Sequence, residues 1–493
     1  MARKKLVLAV IDSLRPEMLD RAIADGRAPA LAGLVERGTF VRDCVSTFPS
    51  VTPVASATIA TGLDPGEHRI PGMNWFHRGE QRYVEYGSSF QATRAFGLLR
   101  SLHDTVYNMN MAHLTRDRKT VFEHLDDADL RTACTTYLIY RGRTRHELDE
   151  EAAYGRLAKA LQFRHAVWGA RELFYADLFD SRSTGCRSTL GLPGQRDQHT
   201  GCVGAHLVEH DLFDFMLFSL PDTDTHSHRR GPDAQVTAIE NADRALDRIM
   251  HVAGGLDAFL EAHAVIVMSD HAQTAVERSI NLAEALPERR VLGPGAVSVG
   301  DAEVAVCPNA RGAMVYALGD DDDRERRVSD LASDLRALEG ADVVAHRSAE
   351  AGGAGEAVVW SPRGELRFAP GGDWTDARGG NWSVDGDPVT LDLTLRDGRV
   401  RSGDYPDALG RLWSAFESPN AGDLLLSAAP GYEFVDWGGA HHVGGGSHGS
   451  LHRGDSHSTL VMCGLEGDEP QEREQWALAD VTPLALKHFS VGS

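Results

Sequence analysis

Lysine is nearly missing from this chain: Lys4, Lys5, Lys119, Lys159 and Lys487 are all it has, and none stands in a Gly-x-x-x-x-Gly-Lys-Ser/Thr loop. That excludes nucleotide chemistry of the P-loop kind. With a formal net charge of −22, the chain also lacks the basic surface that broad nucleic-acid or anionic-membrane binding requires. Cysteine is sparse, six residues with no Cys-x-x-Cys pair, so no zinc ribbon or thioredoxin-like centre is encoded. Cys186 and Cys202 flank a Gly/Arg/Ser-rich loop and could pair, but six reduced thiols are the expectation. No apolar run approaches the length of a membrane-spanning helix. The apolar part after Met-Ala-Arg-Lys-Lys is too short for a typical secretory signal, and the expected location is cytoplasmic.

What is present is a series of short apolar runs, each followed by acids or histidines. Leu6–Ile11 ends at Asp12, and Ala264–Met268 leads to Ser269-Asp270-His271. Phe213–Leu220 ends at Pro221 and is followed by Asp222-Thr-Asp224-Thr-His226-Ser-His228. Continuous apolar runs of this length fit strands buried on both faces of a parallel sheet. Val121–Leu125 predicts a helix and Thr132–Tyr140 a strand; residues 233–262 predict one long amphipathic helix. Strand, helix and strand in this order indicate a doubly wound, mostly parallel α/β sheet flanked by helices. Residues 285–420 break the rhythm with the acidic run Asp320–Asp323 and glycine-rich stretches at 351–355 and 371–387. They are read as an inserted α+β subdomain between core segments 1–284 and 421–493, with the strand-like Asp423–Ser427 resuming the core. A smaller insertion spans 76–118.

Carboxylates and imidazoles delivered to one sheet edge are what a two-metal site needs, and such a site can clamp a phosphoryl group beside a hydroxyl nucleophile. Each residue also has a plain reading. Asp12 can cap the helix that Pro16 opens, and Asp270-His271 can form a solvated turn. Within 222–228, Asp222/His226 and Asp224/His228 share the same i, i+4 spacing, so both registers stand open on spacing alone. In His441-His442-Val-Gly-Gly-Gly-Ser447-His448-Gly449, the Gly-x-Ser-x-Gly spacing matches a serine-hydrolase elbow but lacks the preceding strand that elbow needs.

Taken in order, these elements resemble the alkaline phosphatase superfamily, in its type I phosphodiesterase/nucleotide pyrophosphatase branch. Val-Ile-Asp12 resembles the first metal-ligand strand. Thr52-Pro-Val-Ala-Ser-Ala-Thr-Ile-Ala-Thr61-Gly62 with Pro65-Gly-Glu-His68 resembles the nucleophile helix, and its spacing selects Thr52 over Thr47. Asp224-x-x-x-His228-x-x-Gly231-Pro232 resembles the branch's Asp-x-x-x-His-x-x-Gly-Pro element, whose register favours Asp224/His228. Ser269-Asp270-His271 and Ser447-His448-Gly449 resemble its last two ligand motifs. Three positions depart: Ala272 and Arg69 replace glycines, and Ala55 stands where a phosphate-binding asparagine is frequent, which leaves Asn74 as a candidate substrate contact.

The resemblance implies a hydrolase with Thr52 as nucleophile and two divalent ions, zinc first and manganese second. One ion would be held by Asp12, Asp270 and His271 with Thr52 beside it, the other by Asp224, His228 and His448. The expected partner is a small phosphorylated substrate, cleaved at a diester or pyrophosphate linkage, because no Arg or Lys adjoins Thr52 to neutralise a dianionic monoester. Kept beside this reading are a phosphomonoesterase or phosphomutase of the same superfamily, a serine hydrolase using Ser447, and a non-catalytic metal- or phosphate-binding protein. A sulfatase is disfavoured because no Cys-x-Pro-x-Arg or Ser-x-Pro-x-Arg lies near Thr52.

Overall fold

The computed structural model describes residues 3–148, 166–175, 178–187, 192–296, 298–319, 321–348, 355–466 and 473–492. The apolar runs become the centre of an eight-stranded sheet. Its strand order is Thr39–Val45, His457–Cys463, His263–Met268, Lys5–Ile11, Phe215–Leu220, Thr132–Thr135, Glu172–Tyr175 and Phe179–Asp180. The five strands from His263–Met268 to Glu172–Tyr175 are mutually parallel; His457–Cys463 and Phe179–Asp180 run against them, and Thr39–Val45 pairs antiparallel with His457–Cys463.

Strand periodicity explains why Leu6–Ile11 is apolar throughout. Leu6, Leu8 and Val10 face a cluster with Val54 and Ile59 of the Thr52–Thr61 helix. Val7, Ala9 and Ile11 face the opposite cluster, with Leu19, Leu31, Leu207 and Leu246 from helices on the other side. Neither face meets water, so no polar residue is tolerated until the strand ends.

A second sheet runs in the order Val304–Asn309, Gly312–Ala317, Leu424–Ala428, Ala341–Ser348, Glu356–Ser361, Gly364–Thr375, Arg399–Ser402 and Leu393–Arg396, with Asn381–Gly386 pairing Gly364–Thr375. One face joins the cluster containing Val54. The other packs on Val328, Leu331 and Leu335 of the Arg324–Arg336 helix.

Four sequence expectations are corrected here. Leu424–Ala428 does not resume the first sheet but pairs with Gly312–Ala317 and Ala341–Ser348; a short run buried on both faces carries no mark of which sheet it joins. The expected single helix over 233–262 is divided into Val236–Val252 and Leu256–Ala262 at Gly254-Gly255, both with positive φ. The strand predicted over 132–140 stops at Thr135, because Thr136 turns into the left-handed region at φ 51°. Cys186 and Cys202 form a disulfide with Cα atoms 5.9 Å apart, so the expectation of six free thiols fails; Cys44, Cys134, Cys307 and Cys463 are free. Asp320 and the glycine-rich 351–354 lie outside the described residues. No helix among the described residues is long and apolar enough to cross a membrane.

Candidate active site at the carboxyl edge of the sheet

Strand register brings the candidate residues together. Ile11 pairs with Leu220 and Val10 with Met268, so the three parallel strands end level; Asp12, Asp270 and His271 follow two of these ends, and Asp224 and His228 lie on the Asp222–Arg230 helix that follows the third. That edge is where open α/β sheets place their ligands. His448 arrives by another route. After His271 the chain forms the Thr274–Ile280 strand, against which Gly446-Ser447 pairs antiparallel, with Thr274 opposite Ser447. The glycines before it permit this approach: a Cβ on Gly445 would lie 2.0 Å from the His228 carbonyl oxygen.

Thr52 stands at the first turn of the Thr52–Thr61 helix, preceded by extended Val51 and followed by Pro53, whose missing N–H costs nothing there. The positive end of the helix dipole favours an anion at that position. Its Oγ1 is 3.3 Å from His271 Nε2. That nitrogen is also 3.7 Å from Asp12 Oδ1 and 3.5 Å from Asp270 Oδ2. Asp224 bridges onward, with Oδ2 3.2 Å from His228 Nε2 and Oδ1 3.7 Å from His448 Nε2. Two triads have ligand atoms within 4.8 Å of one another: Asp12–Asp270–His271 and Asp224–His271–His448.

All three histidines hold Nδ1 against a backbone carbonyl: His228 on Gly446 at 2.8 Å, His271 on Ala272 at 3.1 Å and His448 on Ser50 at 2.8 Å. Such bonds fix ring orientation and leave Nε2 for the cluster, the arrangement found around metal-ligating imidazoles. Ser13 N–H donates to Asp270 Oδ1, and Gln273 Nε2 donates to Asp224 Oδ1.

The electrostatics call for positive charge. Burial first, and then Asp270 and Asp224, push the Asp12 carboxyl well above its ordinary range; Asp12 Oδ1 is buried and has no hydrogen-bond partner. Burial raises Asp270 to about 6. Burial lowers His271 to about 4 and His448 to about 3, so both imidazoles are neutral donors near pH 7. For Asp224 burial acts upward, but the neighbouring His228 outweighs it and holds the carboxyl below the usual range. Crowded carboxylates beside neutral imidazoles, one oxygen orphaned, fit divalent cations with mixed oxygen and nitrogen donors.

A sign follows for pH. Asp270 resists ionisation in the fold, so without cations its favourable contribution is complete below about pH 4 and is lost as pH rises through about 6. Cations should therefore raise Tm more at pH 7.5 than at pH 5. Equal Zn2+-induced shifts at the two pH values, measured by calorimetry on chelator-stripped protein, would contradict this.

The two registers differ in their surroundings. Asp222 accepts from Arg196 Nε at 2.8 Å and from the N–H groups of Gly194 and Asp197, which occupies it structurally. His226 lines a surface cavity with Arg21, Arg27 and Arg230. If Asp224 and His228 hold a cation, Asp224→Ala or His228→Ala should remove one ion, whereas Asp222→Ala or His226→Ala should have a milder effect on metal content; elemental analysis of the four variants decides it.

Two other candidates fall away. Thr47 is buried, with Oγ1 donating to the Pro49 carbonyl at 3.0 Å. Ser447 is fully buried in a two-residue strand without a following helix, so the nucleophile elbow does not form. Asn74 is corrected as a substrate contact. It is fully buried, and its Nδ2 donates to the Pro308 carbonyl, tying the Asn74–His77 strand to the second sheet. Ala272 replaces a glycine without strain, since its φ is not positive, whereas Arg69 adopts φ 72°. Sequence reasoning missed the Ser50 and Gly446 carbonyls, because backbone anchors leave no side-chain signature, and it missed Gln273, whose side-chain amide bonds Asp224.

The family model described as type I phosphodiesterase / nucleotide pyrophosphatase matches residues 6–451. Phosphonoacetate hydrolase from Sinorhizobium meliloti 1021, solved with phosphonoformate and with phosphonoacetate, is similar in structure. In both cases the TM-score is 0.54 at 17% identity, covering 100% of this chain and 96% of that one. Murine ectonucleotide pyrophosphatase/phosphodiesterase 5, an inactive form in complex with AMP, superposes with a TM-score of 0.56 at 12% identity, covering 99% and 96%. At such identities the likeness concerns the fold. No curated protein matches by sequence. With the family model spanning nearly the whole chain and the fold agreeing, this enzyme belongs to the type I phosphodiesterase/nucleotide pyrophosphatase family of the alkaline phosphatase superfamily.

Proposed function

We propose that the enzyme hydrolyses a phosphodiester or pyrophosphate linkage through Thr52 with two divalent cations. Asp12, Asp270 and His271 would hold one ion, and Asp224, His228 and His448 the other. The observation that carries this is the convergence of three carboxylates and three carbonyl-anchored imidazoles, those of His271 and His448 held neutral by burial, beside one hydroxyl. Bound cations supply charge neutralisation for the phosphoryl group and lower the pKa of a neighbouring hydroxyl. Zinc suits the mixed donors best, with manganese second.

Thr52 Oγ1 attacks phosphorus in line. The O–P bond to threonine forms while the bond to the leaving oxygen breaks; the threonine hydroxyl proton passes to solvent, and the leaving oxygen takes one from water. Water then cleaves the phospho-threonine ester, returning the threonine hydroxyl. Serial burial of Pro53, Val54 and Ala55 keeps the nucleophile's own helix free of mobile charge.

A diester or pyrophosphate is favoured over a monoester because no Arg or Lys stands beside Thr52 in the sequence, where Val51, Pro53, Val54, Ala55 and Ser56 are its neighbours. Arg69 pairs with Asp117. Arg196 is bonded to Asp222, to the Pro221 carbonyl and to Thr225. The expected result is a higher kcat/KM for bis-p-nitrophenyl phosphate, or for the p-nitrophenyl ester of thymidine monophosphate, than for p-nitrophenyl phosphate. A preference for the monoester would overturn the linkage assignment alone. As for compartment, the Cys186–Cys202 disulfide weighs against the cytoplasm.

A further inference from the structure

Four imidazoles stand in a column through the site. His271 stacks on His448 with ring centroids 3.7 Å apart, His448 meets His228 at 5.1 Å and 46°, and His228 stacks on His442 at 4.0 Å and 27°. The first three are tethered to backbone carbonyls. The fourth is tethered to a carboxylate: His442 Nδ1 is 3.0 Å from Glu433 Oε2, and the His442 backbone N–H donates to the other oxygen of the same group. Glu433 is 1% exposed, on a Gly431–Phe434 strand that pairs with Thr274–Ile280. A carboxylate so deeply buried is costly unless its hydrogen bonds are met, and His442 meets them.

The two cation subsites differ in enclosure. The His271 and Asp270 side chains are 0% and 2% exposed, against 16% and 15% for His228 and Asp224. The Gly446 carbonyl fixes where His228 Nδ1 points and Asp224 Oδ2 meets Nε2 at 3.2 Å, while what lies on the ring faces adds a further restraint on its plane. His448 is tilted by 46° and offers no flat support. His442 lies nearly parallel on the solvent side.

We propose that Glu433 and His442 are a positioning pair that holds the plane of the His228 ring and so sets how tightly the outer subsite, Asp224–His228–His448, binds its cation. This rests on the two-cation reading above. His442 acts through His228 and contributes no ligand atom; Glu433 holds His442 in place. The pair stacks directly on His228 of the outer subsite, whereas it reaches the inner subsite through the His448–His271 stack, so the outer affinity is the one expected to change most.

The test is calorimetric titration of chelator-stripped protein with ZnCl2. Wild type should show two sites. His442→Ala should weaken one of them by about 10–100-fold, the order associated with groups that orient ligating histidines, and leave the other within twofold. His442→Phe keeps a ring face on His228 but no nitrogen, and should stay within about threefold of wild type. Two unchanged affinities in His442→Ala would overturn the proposal, as would a loss in His442→Phe equal to that in His442→Ala, which would make His442 a ligand. The inner-site affinity reports an intact fold. Where His442→Ala fails that control, Glu433→Gln replaces it, with a weaker outer site expected and an unchanged one overturning the pair. A single zinc site in wild type would instead refute the two-cation reading.

Discussion

Thr52→Ala should lower turnover by about four orders of magnitude or more while leaving fold and metal content nearly unchanged. The hydroxyl touches His271 Nε2 at 3.3 Å, and the side chain is only partly buried, so its loss opens no large cavity. The helix it starts is held elsewhere, by the buried Val54, Ile59 and Ala60. Thr47→Ala should retain most activity, because the Thr47 hydroxyl is spent on the Pro49 carbonyl. Steady-state kinetics on both variants, with circular dichroism as the fold control, check this. Residual activity of Thr52→Ala within tenfold of wild type would remove Thr52 from the chemistry.

The largest loss of stability is expected at Arg311. Its guanidinium meets Asp455 at 2.6 Å, with both side chains 0% exposed, and also donates to the carbonyls of Tyr432 and Ala429. Burial pushes the Asp455 carboxyl up, but Arg311 and the bonds from Ser450 and Thr274 outweigh it and hold the group below its ordinary value. Arg311→Met strands that charge and should cost about 3–5 kcal/mol. The damage should also reach the site, because the Arg311 N–H donates to the His448 carbonyl at 2.6 Å and Thr274 starts the strand beside Ser447. Denaturant unfolding gives the number. A loss below about 1 kcal/mol would mean that the ion pair is not a fixed joint between the second sheet and the His448 loop.

The sequence discloses what repeats locally. Runs apolar on both faces mark strands of a parallel sheet, and the acids and histidines that end them mark its carboxyl edge. The paired spacing in 222–228 was the one place where periodicity could not choose, and Arg196, far along the chain, claims Asp222. What stayed hidden depends on partners chosen in three dimensions. Leu424–Ala428 reads as a buried strand but does not say which sheet it joins. Asn74 reads as a polar candidate, yet Pro308 claims it. The carbonyl tethers of His228, His271 and His448 come from backbone, where residue identity is silent. Arg311 and Asp455, 144 positions apart, carry no mutual mark in sequence.

The central claim is that two divalent cations assemble at this sheet edge and enable hydrolysis. The most direct measurement is elemental analysis of the purified enzyme before and after chelation, with turnover followed on the same samples. Two equivalents of divalent metal per chain are predicted, lost together with activity and restored together by Zn2+ or Mn2+. Full activity in protein stripped of metal, or a single equivalent in fully active enzyme, would contradict the account.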